Sequence, residues 1–136
     1  MTPMPTQEPE RWLEAAQADL EAAQVLLNQG LFAAACFHCQ QAAEKALKAY
    51  LYSQGEEEVR GHSVAVLCRS AARLDPRFAE LAEHVGELDG FYLATRYPNA
   101  LVDATAEQVF RRPAAARAMQ MAQQTLTLVQ EAMKQP

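Results

Sequence analysis

Glycine is scarce in this chain, five residues in 136, and strand patterning is scarcer still. Few glycines leave few sharp turns, and without a period-two alternation of apolar and polar residues there is no sheet to build. No apolar run approaches the ~20 residues that a membrane-crossing helix needs. The N-terminal stretch from Met1 to Pro9 is polar and proline-rich, without the basic-then-apolar pattern of a secretory signal, so a cytoplasmic protein is expected. Basic excess is missing as well. The formal charge is −5, and bulk electrostatics do not draw the protein to nucleic acid. Arg111, Arg112 and Arg117 form the best local basic patch, with a plain solvated helix start as the favoured alternative.

Three cysteines cannot all pair, and free thiols suit a reducing compartment. Cys36 and Cys39 make a C-x-x-C, but they lie inside a continuous helical pattern with no second ligand pair at zinc-finger spacing. Core packing is preferred over metal or redox chemistry. Glycine-rich phosphate loops and the paired carboxylates of a nucleotidyltransferase are absent too. Neither a metal nor a cofactor is expected.

What is present is helical periodicity in every segment. The pattern predicts one domain over 1–136, an all-α antiparallel up-and-down helical bundle of four to five helices, with 1–8 as a flexible N-terminus. A first helix runs from near Pro9, capped near Thr6 or Glu8, to Asn28, its seam formed by Trp12, Ala16, Ala23, Leu26 and Leu27. Asp19 falls on that seam and needs a partner if buried, or sits in water at the seam's edge. A second helix, 31–53, alternates steps of four and three through Phe32, Cys36, Cys39, Ala43, Ala46 and Tyr50, the spacing that packs against an antiparallel neighbour. Gly30 leaves only a short link, so the two should form a hairpin. An acidic loop, 54–61, precedes a short third helix capped by His62 or Ser63. A fourth runs from Pro76 to Arg96 with Phe78, Leu81, Val85, Leu88 and Tyr92 inward, stopped by Pro98. Thr105 to Gln108 reads as a capping box, and Pro113 opens a last helix to Lys134.

The second helix also carries Phe37, Gln41, Glu44 and Lys48 opposite its seam, which points to contact on both sides. Glu44 precedes Lys48 by four residues, and an exposed pair in that order contributes only ~0.3–0.5 kcal/mol. Arg96 is the sharpest candidate for chemistry. Asp89, Tyr92 and Arg96 share one helix face, and a guanidinium held at a helix C-terminus can grip a phosphate bidentately. It can as easily hold Asp89 or another carboxylate and do nothing more. Of the three histidines, His62 reads as a capping residue, His38 as outer-face beside Gln41 and Lys45, and His84 as surface. Phe37, Tyr50, Tyr52 and Tyr97 exceed the needs of a small alanine-rich core and point to a dimer interface, with packing inside the monomer as the alternative.

The run Ala35-Cys36-Phe37-His38-Cys39-Gln40-Gln41-Ala42-Ala43-Glu44-Lys45-Ala46-Leu47-Lys48-Ala49, then Gly61-His62-Ser63, then Thr95-Arg96-Tyr97-Pro98, resembles the HEPN domain family over nearly the whole chain, from about Trp12 to Met133. The resemblance implies a four- or five-helix bundle, usually a homodimer, often paired with a small MNT-type nucleotidyltransferase in a two-gene toxin–antitoxin setting. The family-typical positions are Gln40, Gln41, Glu44, Lys45, Lys48, His62, Arg96, Tyr97 and Pro98. With the residues read above, the candidate binding site for nucleotide or RNA comprises Arg96, Tyr97, Tyr92, Lys48, Glu44, Gln41 and His38, with Arg96 and His62 as catalytic candidates.

Family members that cut RNA carry a histidine separated from the motif arginine by four to six intervening residues. Here the corresponding positions are Leu101, Val102 and Asp103, and no histidine follows His84. Three readings stay open: a homodimeric nucleotide- or RNA-binding module, a metal-independent endoribonuclease with composite sites at the dimer interface, and a helical interaction protein without a ligand.

Overall fold

A computed structural model describes residues 7–134. Every element among them is helical: α1 (Gln7–Asn28), α2 (Phe32–Ser53), α3 (Val64–Ala72), α4 (Arg77–Val85), α5 (Asp89–Arg96), the single turn α6 (Ala106–Val109) and α7 (Arg112–Lys134). Short 3₁₀ turns occupy Gly86–Leu88 and Pro98–Ala100. No helix among the described residues is long and apolar enough to cross a membrane. Of the expected flexible N-terminus, residues 1–6 and the Thr6 cap lie outside the described residues, whereas Gln7 and Glu8 already belong to α1.

The bundle is organised around α2, which packs against α1, α7, α3 and α5. Its predicted seam, Phe32, Cys36, Cys39, Ala43, Ala46 and Tyr50, is buried throughout. So are Ala33, Ala35, Ala42 and Ala49 on other faces. Alanine here removes bulk, letting α1 and α7 approach the α2 axis closely while every side chain stays in a helix-favouring residue. Gly30 has φ +78, the left-handed conformation that ends α1 and lets Leu31 turn the chain back. Larger groups fill the ends: Phe78 is fully buried and its ring lies 4.6 Å from that of Tyr50. Truncating Phe78 to alanine costs about 3–5 kcal/mol on general grounds.

The predicted single helix from Pro76 to Arg96 is divided. A 3₁₀ turn at Gly86–Leu88 separates α4 from α5, where Gly86 and Gly90 supply weak helix formers. Three residues at about 120° each rather than 100° advance the following face by roughly 60°. Phe91 consequently takes the inward position, 3 % exposed, and packs edge-on against Phe110. Tyr92, expected in the seam, is turned to a half-buried position. That rotation builds the site.

The aromatic surplus is mostly used inside the chain. Tyr50 is buried, and Tyr52 stacks on Trp12 at 5.9 Å and accepts a hydrogen bond from the Val59 amide at 3.2 Å, fastening the acidic loop. Tyr97 alone of the four is exposed, at 49 %. The arginine patch is also accounted for: Arg111 and Arg112 lie over Phe32, and Arg117 pairs with Glu87 at 2.9 Å.

Candidate functional site

Glu44 anchors the site from within α2. Its side chain is 6 % exposed, and its carboxylate accepts from Gln40 Nε2 at 3.0 Å, from Lys48 Nζ at 3.1 Å and from His62 Nδ1 at 3.2 Å. The Glu44–Lys48 pair is buried on both sides, with the Lys48 side chain 8 % exposed, in keeping with contact on the second face of α2. Burial of a lone charge is costly, and three donors around one carboxylate are what make it tolerable here. Lys48 is further sheltered by Trp12, whose ring centre lies 5.4 Å from Nζ. Gln41 reaches the network one step out, donating to Gln40 Oε1 at 2.7 Å.

His62 does not cap α3; Ser63 does, its hydroxyl accepting from the Val66 amide at 3.1 Å. His62 instead hangs from α2. Its carbonyl accepts from Gln40 Nε2 at 3.1 Å while its Nδ1 faces Glu44. Because a carboxylate only accepts, Nδ1 must carry the proton, and Nε2 is the basic nitrogen of the neutral ring. The imidazole is stacked on Tyr92, centroids 4.8 Å apart and planes 13° from parallel. Arg96, one turn further along α5, donates from Nη1 to the Tyr92 hydroxyl at 2.6 Å. Its guanidinium carbon lies 5.1 Å from the ring centre. The contacts run in the order Lys48, Glu44, His62, Tyr92, Arg96, from a buried ion pair to an exposed guanidinium.

Arg96 is therefore not held by Asp89, the alternative its helix position had left open. It has no carboxylate partner among the described residues. Asp89 serves α3, accepting from Ser63 Oγ at 2.8 Å and from the amides of Val64 and Ala65 at 2.5 and 3.2 Å. A guanidinium oriented by a neutral phenol keeps its full charge for a guest. Beside it a depression of about 320 Å³ is walled by Ala33, Ala34, Arg96, Tyr97, Thr105 and Glu107. A larger one of about 520 Å³, walled by Gln120, Gln123, Gln124 and Thr127 of α7, lies apart from these groups.

Two predicted site residues are elsewhere. His38 is not on an outer face: its Nδ1 lies 2.9 Å from Asp19 Oδ1, and Lys45 Nζ reaches Oδ2 of the same carboxylate at 2.6 Å. Asp19 thus has its partners, both from α2, and the trio ties the α1–α2 hairpin. Tyr97 ends α5 on the depression's wall, apart from the His62–Tyr92 stack. The sequence reading missed Trp12 as a cover and Asp89 as an anchor. No sequence signal marks Asp89, because the helix start it occupies exists only through the 3₁₀ turn at Gly86–Leu88.

Cys36, Cys39 and Cys68 are free and fully buried. Burial pushes each thiol up to about 12. A metal or redox site needs thiolate, which this environment disfavours. Cys39 Sγ instead lies 3.4 Å from Met119 Sδ.

An all-helical bundle with an arginine and an aromatic ring presented at the end of a short helix, over a buried glutamate–lysine pair, defines a class of small helical domains. The chain belongs to the HEPN domain family, whose model matches residues 9–132. TT1696 from Thermus thermophilus is 35 % identical, with a TM-score of 0.79 over 92 % of this chain and 98 % of that one. ST0689, described as an archaeal HEPN homologue, is 31 % identical, with a TM-score of 0.76 over 93 % and 98 %. A HEPN domain protein from Thermotoga maritima is 29 % identical, with a TM-score of 0.68 over 93 % and 99 %. No curated protein matches the chain.

Proposed function

We propose that this HEPN-domain chain is a cytoplasmic, homodimeric nucleotide- or RNA-binding module that works with an MNT-type nucleotidyltransferase in a two-gene, toxin–antitoxin-like system. The observation that carries the binding reading is Arg96: exposed, oriented by Tyr92 and without a carboxylate partner among the described residues. Such a group offers paired N–H donors to a phosphate. The half-buried Tyr92 and exposed Tyr97 add aromatic surface for a base, in a protein whose total charge of −5 gives no general affinity for nucleic acid. The dimer and the nucleotidyltransferase partner rest on family membership, with exposed Tyr97 supporting the former.

The direct test is fluorescence anisotropy of a labelled single-stranded oligoribonucleotide. Saturable binding that Arg96→Ala removes is expected; equal binding by both proteins would take Arg96 out of the site. Co-expression with the product of the neighbouring gene should yield one complex on affinity purification, and separate elution would refute the partnership.

A second reading, a metal-independent endoribonuclease, is favoured by one specific arrangement. His62 brings an imidazole to Tyr92 and Arg96 although no histidine follows Arg96 in sequence. In that reading His62 Nε2 takes the proton of a 2′-hydroxyl, O2′ attacks phosphorus, and the P–O5′ bond breaks. The products are a 2′,3′-cyclic phosphate and a 5′-hydroxyl, whose oxygen takes its proton from water. Arg96 neutralises the charge that gathers on the phosphorane oxygens. Cyclic-phosphate ends produced by the parent protein and not by His62→Gln are the expected signature, and intact RNA would reject it.

A further inference from the structure

We infer that Asp89 is the positioning residue of the site, the group that sets the distance between the α2-borne imidazole and the α5-borne ring and guanidinium. The inference rests on the binding reading above for its consequence, but its geometry stands alone.

His62 is attached to α2 twice, through its carbonyl to Gln40 and through its ring to Glu44. Tyr92 and Arg96 are carried by α5, an element of eight residues that is too short to be stable alone. Its hydrophobic hold is slight: Phe91 is its one buried residue. One buried side chain, even with α5 packed on α2, gives a short helix little directional hold. Something directional must set its register against His62.

Asp89 supplies three directional bonds, to the hydroxyl of Ser63 and the amides of Val64 and Ala65. Those residues follow His62 immediately. The carboxylate thus clamps the backbone that bears the imidazole onto the first residue of the helix that bears the phenol. It also sits at two helix N-termini at once, α3 and α5, where negative charge is favoured by both dipoles. A chain of contacts follows from one side chain: Asp89 holds Ser63, His62 rests on Tyr92, and Tyr92 orients Arg96.

The alternative role is plain capping of α3, and two variants separate them. Ser63→Ala removes the α3 cap hydroxyl but leaves both amide bonds to Asp89. Asp89→Asn keeps the size and shape of the side chain but removes its charge and one acceptor. The readout is the NMR shift of the His62 ring protons, displaced upfield in the parent by the stacked Tyr92 ring, with oligoribonucleotide anisotropy beside it. Asp89→Asn should lose the displacement and bind on the order of tenfold more weakly. Ser63→Ala should keep the displacement and melt at a lower temperature.

Unchanged His62 resonances in Asp89→Asn overturn the positioning role, and if Arg96→Ala still abolishes binding, the binding reading survives that result. Moved resonances with unchanged RNA affinity support the positioning role and refute the cluster as the binding site. Should Asp89→Asn fail to melt cooperatively, Asp89→Glu keeps the charge at both helix ends while displacing the carboxylate by one methylene. Moved His62 resonances in that variant support the role, and unmoved ones overturn it.

Discussion

The imidazole of His62 lies flat on the ring of Tyr92, 4.8 Å between centroids, although thirty residues of chain separate them. Neither residue lies in the buried core. The contact is held by what surrounds it, Glu44 beneath the imidazole and Arg96 at the phenol hydroxyl. A stack of this kind at a surface contributes about 0.5–1.5 kcal/mol beyond burial. Tyr92→Phe retains the stack and loses the hydroxyl that orients Arg96, whereas Tyr92→Ala loses both. Oligoribonucleotide affinity should therefore fall stepwise through that pair, and equal affinities in the two variants would show that the hydroxyl contributes the whole effect.

Arg96 should matter for binding and not for folding. It is exposed and pairs with no carboxylate among the described residues, so Arg96→Ala should shift stability by no more than about 0.5 kcal/mol. Arg96→Lys keeps the charge but not the planar fork, and should recover only part of the affinity. Thermal melts together with anisotropy check both statements.

The buried Glu44–Lys48 pair makes the opposite prediction. Lys48→Met leaves the Glu44 carboxylate without its main counter-charge and should cost about 3–5 kcal/mol in urea unfolding. Glu44→Leu combined with Lys48→Met removes both charges and should be markedly less destabilised than the single variant. A double variant as unstable as Lys48→Met would show that packing, rather than charge, carries the loss.

Burial of three thiols sets the alkaline limit. Each is pushed from 9.0 to about 12 in the fold. Their folded values exceed the unfolded ones, so stability is level below pH 9 and falls as pH rises from 9 towards 12. The slope is at most about 1.4 kcal/mol per pH unit for each thiol. Asp75 acts on the other side: the Arg77 guanidinium holds its carboxyl below 3.8, and that contribution is lost as pH falls past this value. Unfolding curves across pH check both signs. Ellman's reagent at pH 8 should find no reactive thiol until denaturant is added.

Much of the bundle was legible in the chain because helix periodicity and punctuation are local. The α2 seam, the Gly30 reversal and the capping box are all present as read; in the last, Thr105 and Gln108 bond each other's backbone amides. Burial of Glu44 and Lys48 was half-legible, since polar residues opposite an apolar seam indicate contact on a second face. The site was less so. Tyr92 was placed in the seam because a 3₁₀ turn is invisible to a 3.6-residue period, and its rotation of the face by roughly 60° can be seen only in coordinates. In sequence His38 reads as outer-face and Asp19 stays open between a buried partner and water, because their partners lie across the hairpin and no spacing rule connects 19 with 38 or 45.

The amino-acid sequence by itself determined an all-helical chain, its hairpin, its buried alanine seam and an arginine at a helix end, because each follows from interactions within a few residues. Only the tertiary structure decided that Arg96 answers to Tyr92 rather than Asp89, and that the imidazole of His62 lies on Tyr92. The His62–Tyr92 stack and the bonds that draw Asp89 to α3 join elements distant in the chain, so the relative placement of α2, α3 and α5 settles them. That placement is a property of packing, to which no single segment holds the key.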